Sequence, residues 1–133
     1  MSDDTSAILP VASEQHVTAG PYSPVLRIRH DADIVVISGQ APLDLSGAVI
    51  GATIEEQARV TLENCRRQLG AAGLDLGHVF KVNVYLTDLS NWPRFNTVYR
   101  EIMPQPFPAR TAIGCALLDG FLVEIEMWAA VRA

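Results

Sequence analysis

Between Thr53 and Thr87 the spacing of the apolar residues changes from helical to alternating, and no other feature restricts the architecture of this chain as much. Ile54, Ala58, Leu62, Cys65, Leu69 and Ala72 fall on one side of a helix that Thr53 and Glu56 open as a capping box and Gly73 stops. Arg59, Glu63, Arg66 and Arg67 then face solvent, with Arg59 pairing to Glu63 and Glu63 to Arg67 at i,i+4 spacing. From Val79 to Thr87, Phe80, Val82, Val84 and Leu86 share one face and Lys81, Asn83 and Tyr85 the other, as in a strand with a single buried side. A helix and a strand that each bury one side need a common core.

The flanking segments extend the pattern. Ile8–Ser13 reads as an edge strand because Pro10 lacks a donor. Val25–Arg29 and Ile34–Ser38 read as a hairpin around His30–Asp33. Ser90 or Asn91 caps a second helix with Pro93 in its first turn and Phe95, Val98, Tyr99 and Ile102 as its apolar stripe. Ala109–Leu118 and Phe121–Val131 follow, joined at Asp119–Gly120 as a second hairpin. The order predicts an α+β two-layer sandwich with both helices on one face of the sheet, a single domain over residues 1–133 with residues 1–6 loose. Val123, Ile125, Met127, Ala129 and Val131 then lie against the helices, and Glu124, Glu126 and Trp128 line the bare face.

Composition narrows the function. The net charge is −5 with one lysine, Lys81, and scattered arginines, which argues against nucleic acid as a partner. His16, His30 and His78 stand in no ligand spacing, so no metal is expected, and no motif calls for a nucleotide or another cofactor. Cys65 and Cys115 read as free thiols. Neither a leader-like N-terminus nor a run long enough to span a membrane is present, so no membrane partner and a cytoplasmic setting are the expectation. Hydrophobic residues make up 49% of so short a chain against 19% charged, which points to apolar surface covered by another copy.

Chemistry can reside where Arg110 and the glutamates Glu124 and Glu126 share a mostly apolar sheet face, if they project the same way across the second hairpin. Either they form an interfacial salt bridge, or Arg110 binds a substrate carboxylate bidentately while a glutamate positions water or a proton. Gly20-Pro21-Tyr22-Ser23-Pro24 is a rigid turn that either packs Tyr22 on a neighbour or presents it to a site, and Asn96 is either a surface residue or part of that site.

In order along the chain, Gly20-Pro21-Tyr22-Ser23, Ser38-Gly39-Gln40 with Pro42, Asn64, Ala71-Ala72-Gly73-Leu74, Val82 to Asp88, Asn96 to Tyr99, Pro108-Ala109-Arg110-Thr111 and Val123-Glu124-Ile125-Glu126 resemble the YjgF/Rid (reactive intermediate deaminase) family. The resemblance implies a chorismate-mutase-like fold, a homotrimer whose bare sheet faces form a central barrel, and clefts between subunits. It implies hydrolysis of enamine and imine intermediates such as 2-aminoacrylate to 2-keto acids and ammonia, without metal or cofactor. Carried over, Arg110 holds the substrate carboxylate, Glu124 orients water, Tyr22 and Asn96 line the cleft, and Gly39 and the Ala112 backbone complete it. The alternative is a non-catalytic trimer that binds 2-keto acids or regulates a partner enzyme. An RNA-cleaving role, also proposed for the family, suits an acidic chain poorly. Pro24, Ala112 and Trp128 depart from the family's frequent Gln, Cys and smaller apolar residue, and bear on the shape of the pocket.

Overall fold

The structure is a computed structural model that describes residues 6–16 and 20–133. Its elements run β1 (Ile8–Pro10), β2 (Leu26–Ile28), β3 (Ala32–Gln40), α1 (Ile54–Ala71), β4 (Val79–Leu86), α2 (Trp92–Ile102), β5 (Ala109–Gly114) and β6 (Val123–Arg132). β3, β6, β4 and β5 form a mixed sheet in that order, with the pair β4–β5 parallel and the others antiparallel. The α+β class and the two helices on one face follow the expectation; both hairpins do not. β2 pairs with β1, while β3 crosses to β6 after the turn closed by the Ala32 N–H to Arg29 C=O bond. Asp119–Gly120 does turn the chain, with Gly120 at φ 86° and Phe121 N–H bonded to Leu118 C=O. The strands it joins nonetheless separate, and β4 lies between them.

α1 is opened by the reciprocal Thr53–Glu56 bonds, and Leu74 N–H to Leu69 C=O and Gly73 N–H to Gly70 C=O close it, with Gly73 at φ 78°. Ile54, Ala58, Leu62, Cys65 and Leu69 are buried as expected, but Ala72 is exposed because it is already the cap. The surface ion pairs also differ: Arg59 reaches Glu101 on α2 at 2.8 Å, Arg66 pairs with Glu63, and Arg67 Nη1 donates to Asn64 Oδ1 at 2.7 Å. Burial of the Cys65 thiol pushes its pKa up to about 12.

α2 has Pro93 in its first turn, but Asn91 gives no side-chain cap; Asp88 instead caps the short turn at Leu89–Asn91 that leads in. On β4 a register shift between Val79 and Lys81 turns Val79 rather than Phe80 fully inward. Val82, Val84 and Leu86 pair with Met127, Ile125 and Val123 of β6, and these six side chains are fully buried beneath the helices. Val131, at the end of β6, is only half-buried. β1 ends at Pro10, short of Ser13. Residues 1–5 of the expected loose start lie outside the described residues; the Ser6 hydroxyl donates to Ile8 C=O at 2.9 Å.

Candidate functional site

Arg110 is placed by pairing with Val82, whose side chain enters the core, so the guanidinium projects to the helix side at the outer edge of the sheet. There α2 receives it. Its Cζ lies 4.6 Å from the Trp92 ring centroid and 4.7 Å from that of Tyr99. Those residues stand at i and i+7, about 10 Å apart along the helix axis, and both rings lie within cation–π distance of the guanidinium. Asn96, at i+4 on the same stripe, is buried.

A guanidinium held over aromatic rings keeps its N–H groups for hydrogen bonds. Both terminal nitrogens are shielded from water and have no hydrogen-bond partner among the described residues. Burial lowers the arginine's pKa, with the nearby Tyr99 pulling the other way. A desolvated cation without an acceptor is costly, and a planar carboxylate matches the two parallel donors. Tyr99 itself is held neutral, its pKa raised first by burial.

The early turn closes over this guanidinium. Ser23 N–H donates to Pro108 C=O at 3.1 Å and the Ser23 hydroxyl bonds Phe107 C=O, tying the turn to the segment that enters β5. A Cβ on Gly20 would come within 2.6 Å of Arg110 Nη2, so a larger residue there would push the guanidinium aside. Tyr22 is half-buried, its ring beside Gly20, and Pro24 is exposed.

Glu124 lies elsewhere. It pairs with Tyr85, on the face away from the helices, at the end of β3 where a bulge spans Ile37 to Gln40. A Cβ on Gly39 would come within 2.2 Å of Glu124 Oε2, so Gly39 makes room for the carboxylate. The two share a groove of about 440 Å³ that also meets Asn64, Arg67, Leu118 and Phe121. Glu126, by contrast, is committed: it accepts from Asn83 Nδ2 at 3.0 Å and from the Tyr85 hydroxyl. That bond, more than burial, pushes the Tyr85 pKa up to about 12.

Two expectations are therefore corrected. Arg110 and the glutamates do not project the same way, because β5 is in register with the core side of β4. Alternation across the second hairpin also predicts Ala112 and Ala116 beside Trp128 on the bare face, but Ala112, opposite Val84, packs against the core and Ala116 is exposed after the end of β5. That face instead exposes Ile34, Val36, Ile113 and Trp128, from 42% to 54% accessible. Tyr22 and Arg110 gather at one end with the Asn96 stripe, and Gly39 and Glu124 at another. The aromatic clamp was not read as functional from sequence, although Trp92, Asn96 and Tyr99 stand at helical spacing two turns deep. Among the described residues no group of three His, Cys, Asp or Glu side chains could hold a metal, and no helix is long and apolar enough to cross a membrane.

Comparison with known proteins gives these positions a setting. The family described as Endoribonuclease L-PSP matches residues 13–131. Protein mmf2, mitochondrial, of Schizosaccharomyces pombe is 35% identical over 126 residues, covering 92% of this chain and 97% of that protein. The crystal structure of RidA from the Antarctic bacterium Psychrobacter superposes with a TM-score of 0.70 at 32% identity, over 92% of this chain and 94% of that one. That of E. coli TdcF with bound serine gives 0.68 at 28% identity, over 90% and 100%.

Proposed function

From the premise that the chain belongs to the YjgF/Rid family, the one described as Endoribonuclease L-PSP, we propose that it hydrolyses 2-enamino and 2-imino acids to 2-keto acids and ammonia at a cleft between copies of itself. The observation that carries the reading is Arg110: a desolvated guanidinium, clamped by Trp92 and Tyr99, with two terminal nitrogens lacking an acceptor among the described residues. The related TdcF holds serine, an amino acid with the same carboxylate.

The enamine first takes a proton at carbon and becomes the imine. The substrate carboxylate bonds Arg110 in the plane of the guanidinium after the Gly20–Tyr22 turn moves off Nη2. Glu124, from the neighbouring copy in a homotrimer, accepts a proton from water as its oxygen adds to the C=N carbon. The nitrogen takes up one proton to give the carbinolamine and a second, the one held by Glu124, to become a leaving ammonium group; the hydroxyl gives its proton back to Glu124 as the C=O forms and the C–N bond breaks, and ammonia leaves with the keto acid. Because imines hydrolyse unaided, positioning and a single base suffice. The bare faces carrying Ile34, Val36 and Trp128 supply the apolar contact between the copies.

The test generates 2-aminoacrylate with a serine dehydratase and follows pyruvate release against a trapping amine. Acceleration by the protein and its loss in Arg110→Ala are expected; no acceleration, or equal acceleration by the variant, overturns the reading. The second reading, a trimer that binds 2-keto acids without turnover, is favoured by the fact that one chain holds the arginine apart from Glu124. It predicts saturable keto-acid binding with no pyruvate released. The acidic chain, with its one lysine, gives RNA cleavage little support despite the family's description.

A further inference from the structure

The groove that Glu124 lines is also lined by an arginine other than Arg110, namely Arg67 on α1. Its orientation is built in. Asn64 is buried and fixed by its Nδ2, which donates to Ala41 C=O and Leu43 C=O, both at 2.9 Å. The Asn64 Oδ1 left over accepts from Arg67 Nη1 at 2.7 Å. Arg59, Arg66 and Arg94 are each neutralised by a glutamate, whereas Arg67 has no acidic partner among the described residues. Asp44 is the other acid in the groove, and its Oδ1 is occupied by the backbone N–H groups of Ser46 and Ala48 and the Ser46 hydroxyl.

We infer that Arg67 binds the distal carboxylate of a 2-imino dicarboxylic acid, whose reacting carbon lies at Glu124 and whose first carboxylate meets Arg110. This rests on the hydrolytic reading above and adds the substrate class. A groove of about 440 Å³ far exceeds a three-carbon acid, and an acidic side chain extending from the reacting carbon finds the apolar Leu118 and Phe121 along it and a cation among its lining residues. The anion takes the N–H donors that Asn64 leaves free, a charge-assisted contact.

The experiment compares two imines made in situ by amino-acid oxidases, one from aspartate and one from alanine, with keto acid or trapped imine followed for wild type, Arg67→Met and Arg67→Lys. Wild type should prefer the aspartate-derived imine, and the ratio of the two kcat/KM values should fall on the order of tenfold in Arg67→Met through KM, with partial recovery in Arg67→Lys. An unchanged ratio overturns the inference while leaving hydrolysis intact. If neither imine is hydrolysed, the hydrolytic reading fails. Calorimetric binding of 2-oxoglutarate against pyruvate then decides on Arg67: a preference for the dicarboxylate lost in Arg67→Met sustains the site, and its absence overturns it.

Discussion

Arg110 and Glu124 lie on opposite faces of one sheet: Arg110 pairs with the inward-facing Val82, whereas Glu124 pairs with the outward-facing Tyr85. No side-chain rotation brings them together within a chain, so a site that uses both needs two copies.

Mixing follows from this separation. Arg110→Ala and Glu124→Gln should each abolish imine hydrolysis alone, and trimers formed by refolding an equal mixture should regain roughly a quarter of wild-type activity, as random pairing across a heterologous interface gives. Pyruvate release by the mixture is the measurement; no recovery means that both groups act from one chain, and activity in either variant alone means that its residue is dispensable.

Arg110→Ala should separate binding from stability. Lost stacking on two rings costs about 1–2 kcal/mol, and removing a desolvated charge without an acceptor offsets much of it. Calorimetric melting should shift by less than about 4 °C. Keto-acid affinity should drop on the order of a hundredfold.

Trp92→Ala should weaken carboxylate binding through the plane of the guanidinium. KM should rise roughly tenfold with kcat little changed, and Trp92→Phe should restore most of it, since a phenyl ring still covers the cation. Equal losses in both variants would mean that the indole acts in some other way.

Gly39→Ala should damage catalysis more than binding, because the added methyl meets Glu124 Oε2 and displaces the carboxylate. A kcat reduced on the order of a hundredfold, with keto-acid affinity within a few-fold of wild type, is expected.

Tyr85 sets an alkaline limit. The folded chain retains its proton up to about pH 12, above the ordinary value of 10.0, because the hydroxyl donates to Glu126. The unfolded chain releases that proton earlier, so the stabilisation is complete below about pH 10 and is lost as pH rises toward 12. Urea midpoints across that window should fall less steeply in Tyr85→Phe; identical slopes would remove the bond from the account.

The legible parts of the sequence were those decided by near neighbours. The Thr53 capping box, the α1 stripe and the alternation of β4 each follow from residues a few positions apart. Strand pairing did not, because the turn at Asp119–Gly120 says nothing about which strand lies beside which. β6 buries Val123, Ile125, Met127 and Ala129 completely and so takes a central place, while β5 offers Arg110, Ala112 and Gly114 on its core side and is left at the edge. The residues carried over from the resemblance were placed by motif, and their division between two faces appears only once that order is known.

Because β5 lies at an edge of the sheet and buries none of its side chains completely, the arginine sits on a strand on which the core depends little. On the proposed reading, chemistry and architecture are therefore separable in this scaffold: the group proposed to bind the anion can be exchanged, or given up, by a descendant that keeps the same interior. A lineage built on such a domain is free to drift from turnover to sensing without refolding.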